Sequence, residues 1–361
     1  MAVDVLKAGR LQVDVGDCPV QRGDTRQKWQ LVGWRAAQRD IAACRDRAGQ
    51  GGKDRALIAI APSWFWKKNR IDLLFDEVSD VHTAEKKVAL TSGKYLQYDQ
   101  LIIASGSVPN KFGWPGQELK GVQGLYSKQD LESMESSTSD IKRAVVVGGG
   151  LIGIEMTEML LSRNIPVTFL VREKNFWDVV LPSEEAIMIG NHIREHHADL
   201  RLETNLVEIT GNEQGKVTAV ITDRGETINC EFVGLTVGVS PNIAFLKSSN
   251  IECRRGVLVN EFLETSVPGV FAIGDCAEFR MPLTNRKPVE QVWYTGSIMG
   301  ETVAKTICRK RLAYQPGVWF NSAKFFDVEY QTYGWIFPHL KEHEQTFYWQ
   351  HPVEKILLRI N

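Results

Sequence analysis

Residues 143–158 read R-A-V-V-V-G-G-G-L-I-G-I-E-M-T-E. The three valines at 145–147 form a short apolar run, which is typical of a strand buried on both faces of a parallel sheet. Gly148, Gly150 and Gly153 follow with the spacing G-x-G-x-x-G, and apolar residues then recur at helical spacing. The stretch therefore predicts a strand, a tight glycine turn and a helix in immediate succession.

This succession predicts the phosphate-binding opening of a Rossmann unit. The first glycine of such a unit allows the turn, the second lets the backbone approach a pyrophosphate, and the third lets helix pack on strand. The start of the helix presents N–H groups and a positive dipole end to the phosphates. A lone glycine motif is weak evidence, because glycine turns also end ordinary strands. The strand and helix around this one favour dinucleotide binding.

Length and composition narrow the class of protein. A chain of 361 residues, 43% of them hydrophobic and 24% charged, predicts two or three ordinary globular domains. A net charge of −1 argues against binding to nucleic acid or an anionic membrane, and no apolar run is long enough to span a bilayer. The six cysteines form no C-x-x-C pair, which favours reduced thiols in a cytoplasmic protein.

The first 63 residues differ from the rest of the chain. They hold eight Arg, seven Asp and no Glu, whereas the remainder holds 26 Glu. Their glycines at 49, 51 and 52 follow a polar stretch and not a strand, so they do not predict a phosphate turn. Two interpretations stay open: a divergent or disordered N-terminus, or a segment that does not belong to the fold that follows.

From Trp64 onward, regular elements alternate with turns. The predicted strands span residues 71–75, 78–81, 86–90, 95–98, 165–171 and 232–238, and helices are predicted from Pro182 to about His196 and over residues 288–307. A further buried strand within residues 98–110 ends in the small-residue turn Ala104-Ser105-Gly106. Backbone at such a turn can approach a ligand closely.

Four ordered stretches, at residues 98–110, 145–155, 236–242 and 256–278, resemble the pyridine nucleotide-disulfide oxidoreductase superfamily. The closest likeness is to rubredoxin and ferredoxin reductases, apoptosis-inducing-factor-like enzymes and the flavin half of assimilatory nitrite reductase, over about residues 64–333. The resemblance implies an α/β fold of two Rossmann-like domains, with the FAD domain interrupted by an inserted NAD(P) domain, and a partial C-terminal α+β interface domain. The implied boundaries are 1–63 unassigned, 64–124 and 245–315 FAD domain, 125–244 NAD(P) domain, and 316–361 interface domain.

For the NAD(P) domain, the resemblance implies that Gly148, Gly150 and Gly153 hold the pyrophosphate. The resemblance also implies that Gly238, which closes the buried run at 232–238, is a further cofactor-binding residue. Glu155 is placed on the first turn of the helix, where nicotinamide would meet flavin. A solvated carboxylate favoured by the helix dipole is the alternative for Glu155.

For the FAD domain, Ala104, Ser105 and Gly106 match the A-T-G turn of the family, with serine in place of threonine. Val81 matches the strand residue whose backbone meets the adenine. Asp275, in T-S-V-P-G-V-F-A-I-G-D, matches the aspartate that accepts a hydrogen bond from an FAD ribitol hydroxyl.

Two further residues, Glu290 and Gln291, would open the helix whose N-terminus faces the flavin. That dipole end would stabilise negative charge on reduced flavin.

The sequence departs from the family in two places. No G-x-G-x-x-G for the FAD pyrophosphate precedes residue 64, and the interface domain of the family usually runs well past residue 361. We therefore expect the chain to hold FAD poorly or not at all. A reading-frame error over residues 1–63 would account for the missing motif.

Residues at the end of the second strand bear on the choice of nucleotide. An acid there binds the ribose 2′-OH of NAD, while an Arg accommodates the 2′-phosphate of NADP. Val171 stands at the acid position and Arg172 follows it, which favours NADPH. Glu173, one place later, could still recruit NADH.

Two alternative chemistries are set aside. No cysteine pair suited to disulfide reduction is present. His192, His196 and His197 share the predicted helix, and 192/196 has a spacing that could hold a metal. Without a third ligand pattern, the prediction is a solvated helix face and no metal site.

The resemblance thus implies an FAD-dependent NAD(P)H oxidoreductase without a redox disulfide, which passes electrons to rubredoxin, ferredoxin or a similar carrier, with a homodimer as a further candidate assembly. The alternative is a non-catalytic NAD(P)-binding or incomplete flavoprotein that does not retain FAD.

Overall fold

A computed structural model describes residues 29–32, 63–283, 286–339, 341–342 and 344–361. These residues form two compact units. Unit 1 contains residues 29–32, 63–105 and 243–316, and unit 2 contains residues 106–242 and 317–361. Residues 106–124, which the resemblance grouped with the first part of the FAD domain, lie in unit 2 together with the C-terminal residues from 317 onward.

The helices of the described residues are α1 (Ser63–Lys68), α2 (Lys128–Ser137), α3 (Leu151–Leu161), α4 (Ser183–Glu195) and α5 (Trp293–Ile307). The strands are β1 (Trp29–Val32), β2 (Ile71–Leu74), β3 (Val78–His82), β4 (Lys87–Leu90), β5 (Tyr95–Gln97), β6 (Leu101–Ile103), β7 (Ser107–Pro109), β8 (Val122–Gln123), β9 (Ala144–Val147), β10 (Val167–Leu170), β11 (Asp199–Arg201), β12 (Leu206–Gly211), β13 (Val217–Thr222), β14 (Thr227–Asn229), β15 (Phe232–Leu235), β16 (Val239–Pro241), β17 (Val257–Val259), β18 (Val270–Ala272), β19 (Ala277–Phe279), β20 (Phe320–Phe325), β21 (Val328–Tyr333), β22 (Phe347–Gln350) and β23 (Leu357–Ile360).

Unit 2 is built on a five-stranded sheet in the order β11-β10-β9-β15-β8. All its neighbours pair in parallel. Every residue of β9, β10 and β15 is buried, as expected for central strands covered on both faces. The predicted succession of strand, glycine turn and helix is present as β9, residues 148–150 and α3. The order, with β9 at the centre, is that of one half of a Rossmann fold.

The inserted segment of unit 2 begins and ends at one place. Strands β7 and β16 pair antiparallel, with Ser107 opposite Pro241. The N–H of Asn242 donates a hydrogen bond to the carbonyl of Gly106 at 2.9 Å. The first and last residues of the stretch 106–242 therefore lie side by side.

The C-terminal strands of unit 2 pack on the Rossmann sheet domain. Strands β20 and β21 pair antiparallel, and the buried Phe325 at the end of β20 contacts the rings of Phe176 and Trp177 at centroid distances of 5.8 and 5.7 Å. Strand β23 is fastened by Arg359, whose guanidinium donates to the carboxylates of Glu184 and Glu185 at the start of α4. The C-terminal residues thus share the core of unit 2.

Unit 1 is assembled from short paired strands around a second core. Parallel pairs are formed by β6 with β18 and by β17 with β19, while β3, β4 and β5 form an antiparallel sheet. Helix α5 contributes Met299 and Val303 to the core, where both are fully buried. Strand β1 pairs in parallel with β2, so one strand lies inside the N-terminal segment that sequence left unassigned.

Candidate functional site

The glycine turn of unit 2 is held by close backbone contacts. Gly148 has a φ of +116°, and a Cβ there would lie 2.5 Å from the carbonyl oxygen of Thr236. A Cβ on Gly153 would lie 2.2 Å from the carbonyl oxygen of Gly148. The first glycine therefore makes the turn and the third makes the close packing, as the motif predicts.

The middle glycine faces open space. A Cβ on Gly150 would meet no atom within 4 Å, and Gly150 is the N-cap of α3 without a side-chain cap. The first N–H groups of a helix have no intrahelical acceptor, so the start of α3 offers donors and a positive dipole end to an anion. These residues fit a dinucleotide pyrophosphate.

Thr236 supports this turn, although sequence analysis did not single it out. Its buried hydroxyl donates to the carbonyls of Val147 at 2.8 Å and Gly148 at 3.2 Å, which ties the end of β15 to the end of β9. The only signal in the sequence is a lone threonine after the buried run of β15, a pattern too common to be diagnostic.

Gly238 lies just beyond the same strand with a φ of +84°. Beside it, the side-chain amide of Asn110 donates to the carbonyl of Val237 at 3.3 Å and accepts a hydrogen bond from the Ser240 hydroxyl at 2.6 Å. A Cβ on Gly238 would lie 3.4 Å from that amide nitrogen. Gly238 therefore lies at the end of the paired strands β7 and β16, where a side chain would crowd Asn110.

Arg172 follows the end of β10, as predicted. Its side chain is 75% exposed, and its Nε donates to Glu173 Oε1 at 2.7 Å. Val171, at the position of the acid in NAD-binding units, is fully buried. Arg172, which favours NADPH, therefore forms an ion pair with Glu173, which favours NADH.

Glu155 does not lie on the first turn of its helix, so its predicted position within the helix was wrong, whereas its place beside the nicotinamide stays a prediction. It is the fifth residue of α3, whose first turn contains no acidic residue. One helical turn takes 3.6 residues, and the dipole effect falls off within the first turn. The alternative interpretation of Glu155 as a helix-start carboxylate loses its physical basis for the same reason.

In unit 1, the Gly-Asp turn after β18 lies against the start of α5. Gly274 has a φ of +69°, and a Cβ on Gly296 would lie 3.4 Å from the Cα of Gly274. Asp275 is half-buried in the short 3₁₀ helix Gly274–Cys276. Helix α5 begins at Trp293 after the N-cap Val292, which provides no side-chain cap. A carboxylate and a helix N-terminus thus flank this turn, and they fit the ribitol and the anionic ring edge of a flavin.

The two residues expected to open α5 precede it instead. Glu290 and Gln291 lie before the N-cap, so the predicted helix start at 288 was wrong. Glu290 forms a buried ion pair with Arg286: Nε lies 2.6 Å from Oε1, and the side chains are 8% and 2% exposed. Burial raises the pKa of Glu290, and the hydrogen bond from Arg286 opposes that rise. Glu290 therefore fixes the loop before the helix, a role that sequence analysis missed.

The remaining flavin-motif residues are found at strand ends. Val81 is buried in β3, and its N–H donates to Asp80 Oδ1 at 2.7 Å. Ala104 and Ser105 follow β6, with Ala104 exposed. Gly106 has a φ of +67°, as a small-residue turn requires. The segment expected to hold the FAD pyrophosphate falls mainly outside the described residues.

Of the three histidines predicted to share a solvated face of α4, only His192 lies within the helix, because His196 is its C-cap and His197 follows with a φ of 65°. The prediction of a solvated side chain was also wrong for His192. Its side chain is 1% exposed. Burial, followed by the nearby ammonium of Lys355, lowers the pKa of His192. His196 is half-buried, and His197 is exposed.

The family model of the pyridine nucleotide-disulphide oxidoreductases matches residues 30–299. The chain belongs to this family. Its members are FAD-dependent NAD(P)H oxidoreductases such as rubredoxin and ferredoxin reductases, so the predicted family and fold class are confirmed. The match begins at residue 30, inside the segment that sequence left unassigned.

Three similar proteins illustrate the range of the family. The chain is 30% identical to the 5,5'-dehydrodivanillate O-demethylase ferredoxin reductase subunit of Sphingobium sp., over 81% of this chain and 71% of the relative. It is 31% identical to the nitrite reductase [NAD(P)H] of Bacillus subtilis, over 60% of this chain. The chain spans only 27% of the length of that nitrite reductase.

A ferredoxin reductase from Rhodopseudomonas palustris has the same fold, with a TM-score of 0.80 at 20% identity, over 90% of this chain and 80% of that one. Within the described residues, no helix combines the length and apolar character that a membrane span needs.

Proposed function

We propose that this pyridine nucleotide-disulphide oxidoreductase passes hydride from NAD(P)H to FAD and electrons onward to a small ferredoxin- or rubredoxin-type carrier, without a redox disulfide. The observation that carries the proposal is the glycine turn at the uncapped start of α3, where Gly150 leaves open space and Gly148 and Gly153 exclude any side chain. The similarity to the Sphingobium protein, a ferredoxin reductase subunit, supports a protein carrier as acceptor.

In unit 2, the chain would bind and orient the nicotinamide nucleotide. The N–H groups at the start of α3 donate to the pyrophosphate, and the backbone of Gly150 lets it come close. Arg172 is placed after β10 to meet a 2′-phosphate, provided that the phosphate displaces the carboxylate of Glu173. Glu155 and Gly238 complete the proposed nucleotide site.

In unit 1, the chain would hold the flavin. Bound FAD supplies a two-electron acceptor for hydride and a source of single electrons for the carrier. Asp275 accepts a hydrogen bond from the ribitol chain, and the start of α5 stabilises negative charge at the ring edge. Ala104 and Ser105 provide a close approach of backbone. Val81 would meet the adenine.

Glu290 and Gly106 contribute to the proposed flavin site by fixing the course of the backbone. The pair of Glu290 with Arg286 positions the loop that leads to Gln291 and α5. Gly106 closes the small-residue turn after Ser105. Glu290 and Gly106 are therefore positioning residues.

The proposal excludes a thiol relay. The described cysteines, Cys230, Cys253, Cys276 and Cys308, are reduced, and the chain has no C-x-x-C pair. This pattern also supports the proposed cytoplasmic location. A homodimer is part of the proposal and is tested by sedimentation.

The deciding experiment measures flavin in the purified chain. In contrast to the poor FAD binding expected from the sequence, this proposal predicts an absorbance band at about 450 nm that NADPH bleaches, and reoxidation of the reduced protein by an added ferredoxin or rubredoxin. Screening several carriers identifies the acceptor. A protein that takes up no flavin, even after incubation with FAD, would contradict the proposal.

The loss of FAD remains the alternative, because no phosphate-binding glycine motif was found before residue 64. In that case the chain would be colourless and would still bind NAD(P)H through unit 2. The ratio of flavin to protein absorbance, together with a nucleotide titration, separates the two functions.

A further inference from the structure

Three potential metal ligands lie close together in unit 2. In the sequence, none of them belongs to the glycine turn. They are His192 on α4, His196 at the C-cap of α4, and Asp327 in the turn between β20 and β21. Asp327 Oδ1 lies 2.6 Å from His192 Nε2 and 3.1 Å from His196 Nε2. One ligand atom from each residue lies within 4.8 Å of the others.

The backbone around these residues explains why they meet. His196, the C-cap of α4, follows His192 by about one helical turn, and the centroids of the two rings lie 4.5 Å apart. Phe326 turns the β20–β21 connection with a φ of 55° and stacks on the ring of His196 at a centroid distance of 4.2 Å. Since Phe325 and Phe326 are buried in the core, the turn that carries Asp327 is anchored beside the helix.

The donor set suits a zinc-class cation. Two imidazoles and one carboxylate, with a fourth position left to solvent, form an open tetrahedral site. Bonds of about 2.1 Å place tetrahedral donors roughly 3.4 Å apart, so an ion would open the 2.6 Å separation by about 0.8 Å and the 3.1 Å separation by about 0.3 Å. We propose that His192, His196 and Asp327 bind one Zn²⁺ or similar divalent transition-metal ion, which cross-links α4 to the β20–β21 turn.

The exposure of the three residues gives the ion a route in. The side chain of His192 is buried, with 1% of its surface exposed. The side chains of His196 and Asp327 are 37% and 76% exposed. A groove of about 480 Å³ opens beside Asp327 and is lined on its far side by Lys355 and its neighbours. An ion can therefore arrive hydrated and exchange its water for the two imidazoles.

The second nitrogen of His192 determines how tightly the ion is held. Lys355 Nζ, which can only donate, lies 2.8 Å from His192 Nδ1, so Nδ1 accepts and Nε2 carries the proton. A metal on Nε2 requires that proton on Nδ1. The carboxylate of Glu195 lies 3.7 Å from Nδ1 and is paired with Lys355, so it can accept that proton and orient the ring once Lys355 moves away, as carboxylates do behind metal-bound histidines. Lys355 therefore competes with the metal, and Glu195 supports it.

The competing explanation is a hydrogen-bonded cluster that only fastens the turn to the helix. It predicts that Asp327 serves both imidazoles as an acceptor, that Lys355 stabilises the arrangement, and that no ion binds saturably. The two explanations give opposite results when Lys355 is replaced, which makes Lys355 the sharpest probe.

The test titrates Zn²⁺ into the full chain, prepared without a histidine tag and stripped with a chelator, by calorimetry. We expect one ion per chain with a Kd of about 1 µM or tighter, a rise in the melting temperature, and a visible absorption band with Co²⁺. His196→Gln and Asp327→Asn should each weaken binding by about tenfold or more. His197→Asn is the matched control. It removes a neighbouring imidazole, keeps a residue that tolerates the φ of 65° at this position, and should leave the Kd unchanged.

Lys355→Met completes the test, because it removes the ammonium that donates to His192 Nδ1 and keeps an unbranched side chain at an exposed position. The metal site predicts that this variant binds Zn²⁺ about threefold or more tightly, since the competitor at Nδ1 is gone. Absence of saturable binding in both the unaltered chain and Lys355→Met would overturn the proposal. Equal zinc affinity in the unaltered chain and in Asp327→Asn would overturn it as well.

Discussion

Helices α3 and α5 both begin without a side-chain cap, yet the protein builds their starts in different ways. The start of α3 is shaped by glycines, because Gly148 and Gly153 leave no room for a side chain. The start of α5 follows a loop that is fixed by the buried ion pair of Arg286 and Glu290. The glycine turn before α3 is visible as a motif in the sequence, whereas the ion pair before α5 depends on two side chains whose burial only the structure reveals.

The largest expected effect concerns the ion pair before α5. Glu290→Gln leaves the guanidinium of Arg286 buried without its anionic partner, and breaking such a pair costs about 3–5 kcal/mol. The free energy of unfolding, measured with urea, checks this. Replacing both residues by methionine should recover most of the loss. A single substitution that costs less than about 1 kcal/mol would show that the pair does not fix the loop.

The glycine turn before α3 offers a matched pair of substitutions. Gly153→Ala places a Cβ against the carbonyl of Gly148 and should lower the free energy of unfolding by about 1–3 kcal/mol. Gly150→Ala meets open space, so its stability should change by less than about 1 kcal/mol while its affinity for NAD(P)H falls. Unfolding curves and nucleotide titrations measure both quantities. Unaltered nucleotide binding by Gly150→Ala would show that the pyrophosphate does not bind at this turn.

A smaller effect is expected at Arg172, which extends the nucleotide site beyond the turn. A charge-assisted contact with a 2′-phosphate contributes roughly 1.5–3 kcal/mol, so Arg172→Ala should weaken NADPH by about tenfold or more and leave NADH little changed. Glu173→Gln, which frees Arg172 from its ion pair, should strengthen NADPH binding. Equal loss of both nucleotides in Arg172→Ala would contradict the assignment.

No effect is expected from modification of thiols. Burial, followed by the charge of Glu231, raises the pKa of Cys230 to about 12, so its thiolate is scarce at neutral pH. Cys276 is also buried, so among the four cysteines that the structure describes, the half-buried Cys253 and Cys308 should react first. Alkylation followed by mass spectrometry identifies the modified residues, and dye reduction by NAD(P)H should survive. Complete loss of turnover with one modified cysteine would indicate a thiol relay.

Where a backbone requirement fixes the residue type, sequence was sufficient to predict structure. The glycines at 148 and 153 and the buried valines of β9 could be interpreted because few other residues fit a tight turn or a central strand. Helix α4 was predicted at nearly its observed bounds, since Pro182 and a periodic apolar face mark it.

Long-range contacts between side chains could not be predicted in this way. Arg286 with Glu290 and Thr236 with the turn leave no periodic pattern, because each depends on which distant segments the fold brings together. Asp327 lies 131 residues from His196, so no spacing rule connects them. The start of α5 was misplaced for a related reason: the residues before Val292 have ordinary helix composition, and a buried contact takes them out of the helix.

The adjacency of Gly106 and Asn242 has a consequence for how this kind of protein can change over time. One hydrogen bond joins Gly106 to Asn242, so replacing residues 106–242 would leave only a short gap in the chain. The C-terminal strands share the core of that stretch, so they would be replaced together with it. A nucleotide-binding module with different cofactor preference could thus be transplanted at this junction by recombination. The junction makes grafting between relatives a practical route to chimeric reductases.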